Sequence, residues 1–547
     1  MLSGGPQRRT TVDIAPRHTG GVGDDLETTP GRRRRVVVAV VVGVVVAASA
    51  AAVTALASLG SSPSLTSLGA PSAGSHAAPV TSTAPTTSTS PAPTTGGAAT
   101  PAGADWPTYH GNGARTGVDP AGASLSPARP AWTSVPLGGR IYAEPLVVAG
   151  RVIAATEGDT VVVLSARSGT VLWKRTVGTP FRPSTVPGLC GDISPTVGIT
   201  STPVVDVERG EVFVVADEQV GPSGAAHHLI GLDLATGAVL LDQVIDPAGT
   251  DPPFQLQRAG LALSAGRVIV GFGGNYGDCG PYHGLVVSVP EGGGPADVFT
   301  VDSAPGQREG AVWMGGAAPA IDASGNVWVA TGNGSTTRAG APYDHSDAVL
   351  ELSPTMQLLQ YFAPSSWRSD NAVDADLGST APMVLGDGLV FQIGKSQTGY
   401  LLHQGALGGI GGQAASARLC PGGGGNDADG GSAWNAGVLY IPCSRGIQAV
   451  AVGTSPPSLS PSWVAAGGAS GPPVVAGGLV WSETRGGVVE ALDPATGATV
   501  QRFAVGAVAT SFPAVTAADG LVLAVGSEEV HAFCGPAGLP PPPSAAA

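Results

Sequence analysis

Lysine is almost missing from this chain. Its 547 residues include two, Lys174 and Lys395, and charged residues of every kind make up 12%. Aromatic residues are thin at 5%. Apolar runs with a helical period are hard to find after residue 105, which argues against a helical domain. Residues 36–104 hold no Asp, Glu, Lys or Arg. The five cysteines include no adjacent pair and no CxxC, and no Cys/His spacing suits zinc. Residues 1–35 carry seven arginines and four acids, so the net charge of −14 leaves −17 on everything after residue 104. So acidic a domain would repel phosphates, which excludes nucleic acid as a partner.

Glycine and proline are plentiful instead, at 83 and 48. That balance fits many short strands joined by turns. The N-terminal fifth is organised differently. Residues 1–35 are polar and without periodicity, and read as a disordered cytoplasmic tail. Arg32 to Arg35 then abut an uncharged run from Val36 to Leu59. As a helix it would span roughly 36 Å, enough to cross a bilayer. The arginines place the N-terminus in the cytoplasm and the remainder outside. Ala48, Ala50 and Ala52 offer the small-residue sites of a cleaved signal peptide, but the run exceeds the usual apolar region of about 7–15 residues. An uncleaved single-pass anchor is the expectation. Residues 60–104 are Ser, Thr, Pro, Ala and Gly, a spacer that cannot form a core. Residues 538–547 form a Pro/Ala tail.

From Asp105 the chain repeats. Val488 to Val500, VVEALDPATGATV, reads as strand, turn, strand. Leu229 to Leu241 and Val161 to Trp173 carry the same unit, and a degraded copy starts at Ala348. Gly497 can take the positive φ of such a turn, and Asp493 can accept hydrogen bonds from it. One such unit cannot bury both its faces, so the repeat implies a closed or stacked array. Pro145, Pro203, Pro319, Pro382, Pro473 and Pro513 each precede a first strand, with Gly260 and Ser432 in the same place elsewhere. These mark eight units. The last has room for three strands only, and Pro130 to Gly138 can supply the fourth, with Trp132 in the slot of Trp173. A ring closed in this way leaves only short strand edges. The expectation is an all-β, eight-bladed β-propeller over residues 105–537; seven blades is the alternative, because Ser432 marks its unit weakly. An extracytoplasmic domain can keep disulfides. Cys190 with Cys279, in long loops of neighbouring units, and Cys420 with Cys443, around a Gly-rich loop, are the expected pairs, leaving Cys534 free. Buried thiols are the alternative, since connectivity does not follow from sequence.

The ALD-x-x-TG-x-x-x-W pattern and the opening DWPTYHGNGARTG resemble the quinoprotein (pyrroloquinoline quinone, PQQ) β-propeller repeat family of bacteria. That family includes PQQ-dependent dehydrogenases and cofactor-free relatives that serve as binding scaffolds. On the dehydrogenase pattern, the resemblance puts Trp313 under the quinone, Asn333 on Ca²⁺, Asp374 as the catalytic base and metal ligand, Asp376 as the extra acid of lanthanide-using relatives, and Lys395 on the quinone carbonyls. The chemistry implied is hydride transfer from an alcohol or sugar to the quinone while a carboxylate takes the hydroxyl proton.

Each residue has a plainer reading. Trp313 fits inter-blade packing, Asn333 a tight turn, and Asp370, Asn371, Asp374 and Asp376 together a solvated loop. His283 and His345 stand in polar loops without triad or metal spacing. The vicinal disulfide of most PQQ alcohol dehydrogenases is missing, and only Asp251 stands where a calcium-binding glutamate is expected. A calcium ion takes six to eight oxygens. The sequence therefore favours a non-catalytic binding or scaffold module at the cell surface, engaging a protein, glycan or small ligand. A PQQ-dependent dehydrogenase is the alternative. Convergence of Trp313, Asn333, Asp374 and Lys395 at one end of a central channel is what the enzyme reading requires.

Overall fold

The computed structural model describes residues 105–540 except 466, 467 and 469. The expected tail, membrane span and spacer before residue 105 lie outside the described residues, and so does most of the C-terminal tail. Among the described residues no helix is long and apolar enough to cross a membrane.

Residues 129–534 form eight sheets arranged as the blades of a propeller, antiparallel apart from one short parallel pair in the fourth. The first blade sets the pattern with Leu146–Val148, Arg151–Thr156, Thr160–Ser165 and Val171–Thr176. Its three inner strands are wholly buried, and its outer strand is largely exposed. The reason is stacking. An inner strand meets a neighbouring blade on both faces, so TVVVLS is apolar throughout, whereas an outer strand meets water. The third and fourth blades each gain a short extra strand, Gln255–Leu256 and Gly409–Ile410. The sixth blade, weakly marked in sequence, is a regular meander from Ala433–Asn435 to Pro457–Val464.

Ring closure follows the expectation. Arg129–Thr133 pairs antiparallel with Val530–Cys534, setting Pro130 against Phe533 and Trp132 against Ala532. The closing strand is shorter than the stretch from 130 to 138, because Ser134 onward turns into the next blade. Both disulfides form as expected, Cys190–Cys279 and Cys420–Cys443, and Cys534 is a buried free thiol.

The repeat motif acquires a second meaning in three dimensions. In the turn, Asp493 accepts hydrogen bonds from Thr496 N and Oγ1, and Gly497 has φ +72°. That much is local. The same glycine also carries the indole of Trp463 from the blade before, and a Cβ there would lie 2.4 Å from the ring. Trp132 rests on Gly169 and Trp173 on Gly237 in the same way. Each indole N–H donates to a backbone oxygen of the next blade, at 2.8 Å to Ala166, 2.9 Å to Leu234 and 3.1 Å to Pro494. In the second blade Leu241 takes the place of the indole and lies against Gly293. The motif therefore stitches blade to blade.

The opening DWPTYHGNGARTG closes the middle of the ring. It visits the innermost strands in order. Trp106 N donates to Val147 O in the first blade, and Val205 N of the second donates to Pro107 O. Ile321, Val384, Trp434 and Val475, in the fourth to seventh blades, donate to the carbonyls of Gly113, Ala114, Thr116 and Gly117. These inner edges have no further strand to pair with, so the segment satisfies N–H groups that a bare channel would leave unpaired. Arg115 fastens it. Buried at 2% exposure, its guanidinium donates to Pro319 O, Thr108 Oγ1, Tyr109 O and Asn112 O.

Candidate functional site

Residues 105–119 occupy the middle of the ring, and the candidate residues gather on one rim around it. The rim is built from two sets of loops. One set follows the second strand of a blade and carries Glu157, Asn333, Lys395 and Arg485. The other leads into the innermost strand and carries Tyr142, Arg258, Trp313, Asp374, Asp376, Asp429, Thr510 and Phe512. In an up-and-down meander these two sets lie at the same end, and the Pro-Ala-Thr-Gly turns lie at the other.

Trp313, Asn333, Asp374, Asp376 and Lys395 come together. Lys395 Nζ stands 2.8 Å from Asp374 Oδ1 and 2.7 Å from Asp376 Oδ2. The same ammonium lies 5.4 Å from the centre of the Trp313 ring, within cation–π range. Asn333 meets the group through its backbone, whose N–H donates to Asp376 Oδ1 at 2.5 Å. Burial works against the Lys395 charge, but Asp376 and Asp374 outweigh it and hold the ammonium well above the ordinary lysine range. Burial raises the Asp376 carboxyl, and Lys395 opposes that rise. Asp374 is exposed and Asp376 is buried.

The rest of the acidic loop does separate work. Asn371 Oδ1 accepts from Gly334 N, and its amide donates to Thr336 O, so it braces the loop. Asp370 accepts from Ser366 at the start of the short helix Trp367–Asn371. His345 packs among Tyr343, Tyr361 and Phe299. His283 pairs with Asp302 at 3.0 Å along a side groove. Asp251 is exposed at the start of the turn Pro252–Phe254.

Several rim residues were not singled out in sequence. Arg485 lies 3.4 Å from Asp429 Oδ2 and 5.6 Å from the Phe512 ring, which stands 6.0 Å from Trp313. Arg258 is 8% exposed, donates to Thr510 Oγ1 at 3.2 Å and lies 5.8 Å from the Tyr142 ring. Gly316 makes room for it, since a Cβ there would fall 2.1 Å from Arg258 Nη1. Glu157 is buried, and Oε2 accepts from Gly198 N and Thr200 Oγ1. Burial pushes its carboxyl up to about 7 against those two hydrogen bonds. A repeat signal existed. Glu157, Lys395 and Arg485 each come five residues after corresponding second-strand valines, Val152, Val390 and Val480.

A family model described as outer membrane protein assembly factor BamB matches residues 116–345. Among solved structures, quinohemoprotein alcohol dehydrogenase from Comamonas testosteroni is similar at TM-score 0.59 and 17% identity, over 79% of this chain and 80% of that one. A quinohemoprotein alcohol dehydrogenase of Pseudomonas putida HK5 gives 0.60 and 14%, over 81% and 82%. The domain has the PQQ-like β-propeller fold. A europium-containing methanol dehydrogenase also shares the fold, at TM-score 0.58 and 14% identity, over 79% of this chain and 98% of that one. No curated protein matches the sequence. At these identities the likeness is one of fold, and PQQ-like propellers host unrelated functions.

The donor set can be tested against the metal such a dehydrogenase uses. Asp376 spends one oxygen on Asn333 N–H and the other on Lys395, and Asp374 spends one on Lys395. That leaves one Asp374 oxygen and the Asn333 side-chain oxygen, against the six to eight of a calcium shell. The ammonium also lies where it would repel a cation. Among the described residues no group of three or more His, Cys, Asp or Glu side chains is arranged to hold a metal ion. These residues do not fit a calcium or lanthanide ion.

Proposed function

We propose that this PQQ-like propeller is a non-catalytic binding module, displayed outside the cell on the spacer and the N-terminal anchor, whose ligand binds at this rim. The observation that carries this reading is Lys395. Its ammonium neutralises both carboxylates that a metal-dependent dehydrogenase would keep for a cation and a base. The rim offers instead what a binding site needs, part-exposed rings of Trp313 and Phe512 beside fixed charges.

The PQQ-dependent dehydrogenase remains the second reading, because Trp313, Asn333, Asp374, Asp376 and Lys395 do converge on one place. Calorimetric titration of PQQ into the full chain, with Ca²⁺ and then with a lanthanide, separates the two. The binding reading expects no metal-dependent heat. Saturable uptake that requires metal and vanishes in Asp374→Ala would replace it with the enzyme.

A further inference from the structure

Two aromatic side chains meet over the middle of the propeller. Trp313 stands on the loop into the fourth blade and Phe512 on the loop into the eighth. Those blades face each other across the ring, yet the two side chains lie 6.0 Å apart, tilted by 50°. Both stay part-exposed. Each has a cation beside it, Lys395 Nζ 5.4 Å from the Trp313 centre and the Arg485 guanidinium 5.6 Å from that of Phe512. Each cation is already paired. Lys395 holds Asp374 at 2.8 Å and Asp376 at 2.7 Å, and Arg485 holds Asp429 at 3.4 Å. Both disulfides brace loops at this same end. Cys190–Cys279 ties the loop into the second blade to the one after the third blade's second strand, and Cys420–Cys443 ties the loop into the sixth blade to the end of that blade's second strand. A surface held in this way loses little freedom when it binds.

The pairing selects the ligand. A charged molecule would have to break one of these ion pairs or sit beside a like charge. A neutral one avoids both costs. Each pair sets acceptors beside donors, and a hydroxyl can serve both. Asp374 is exposed and Arg485 half-exposed, so solvent-borne hydroxyls reach them. A sugar ring carries adjacent hydroxyls at its edge and an apolar C–H face, which the negative face of an aromatic ring attracts.

We infer that this rim binds a neutral glycan built from pyranose units, a sugar ring resting on Trp313 and Phe512 with its hydroxyls on the Lys395–Asp374 and Arg485–Asp429 pairs. This rests on the binding-module reading and names its ligand.

The test titrates cellotetraose, maltotetraose and chitotetraose into the full chain, in a detergent without a sugar headgroup and with neither metal nor PQQ. Calorimetry and tryptophan fluorescence read the result. Saturable binding of at least one is expected. A cationic glucosamine tetramer and an anionic galacturonate tetramer should bind at least about tenfold more weakly. Trp313→Ala and Phe512→Ala should each weaken the neutral glycan about tenfold. Asp374→Ala, at an exposed site, should weaken it several-fold at an unchanged melting temperature. The probe series on the unmodified chain stands even where a variant fails to fold. No binding of any neutral tetramer, or a charged one binding as tightly, overturns the inference. The binding-module reading fails in a separate titration, by metal-dependent uptake of PQQ, so the two failures are distinguishable.

Discussion

The propeller holds two deeply buried arginines at its centre, and it treats them differently. Arg115, in the segment that closes the ring, is surrounded by acceptors. Carbonyls of Tyr109, Asn112 and Pro319 and the hydroxyl of Thr108 take up its donors. Arg258, on the rim, has one hydrogen bond, to Thr510, and the face of the Tyr142 ring. A guanidinium saturated by its own chain is a fastener. One held by a single hydroxyl and an aromatic face contributes far less to holding the ring.

The sharpest way to break that contrast is to remove both cations. Arg115→Met should cost about 4 kcal/mol, since it strands several buried acceptors that span the opening segment and the fourth blade. Arg258→Met should cost less than about 1 kcal/mol, because it removes a poorly compensated charge and one hydrogen bond. Urea denaturation of the two variants measures both; equal losses would erase the distinction. Lys395→Met comes next, at about 3 kcal/mol, because buried Asp376 is left without its counter-charge. Adding Asp376→Asn should recover part of that loss, and a double-mutant cycle reads the coupling.

Gly237→Ala probes the stitching between blades. The glycine has φ +69°, and a Cβ would lie 2.6 Å from the Trp173 ring. A loss of about 2 kcal/mol is expected, and Trp173→Ala in the same chain should relieve the clash but not the backbone strain. The last effect is one of pH, near the rim. Both carboxylate oxygens of Asp159 are buried without partners, and burial pushes its pKa up to about 9, with Asp217 adding to the rise. The unfolded chain releases that proton near pH 4. Stability is therefore fullest below pH 4 for this group and falls as pH rises toward 9. Asp159→Asn should flatten the decline between pH 5 and pH 9 by up to about 5 kcal/mol, the linkage equivalent of that shift, read from melting temperatures. An unchanged slope would show that Asp159 does not remain protonated in the fold.

The architecture was legible because its signals are local and repeated. Prolines before first strands, Asp and Gly in turns, and valine runs buried on both faces all act within a few residues. Loop placement suggested the two disulfide pairings that the fold makes, without fixing them. The five residues assigned by resemblance did meet, but the sequence could not say how. That Lys395 lies between Asp374 and Asp376 depends on the fifth blade's second strand facing the loop that precedes its first, 21 residues from Asp374 to the lysine. Arg258, Arg485, Asp429 and Phe512 passed unnoticed for the same reason. Each stands alone in the chain, and only the ring gathers them.

Sequence by itself determined a repeated propeller, with eight units favoured over seven, the closure of the last blade by Pro130 and its neighbours, and the acidic balance of the domain. Short-range turn chemistry and strand patterning carry that information. Tertiary structure alone decided that DWPTYHGNGARTG fills the ring, that the repeat's glycine carries a tryptophan from the blade before, and which buried charges find partners. Those outcomes depend on groups brought together across the ring, from Arg115 to Pro319 and from Arg258 to Thr510. A linear pattern holds no record of such distances.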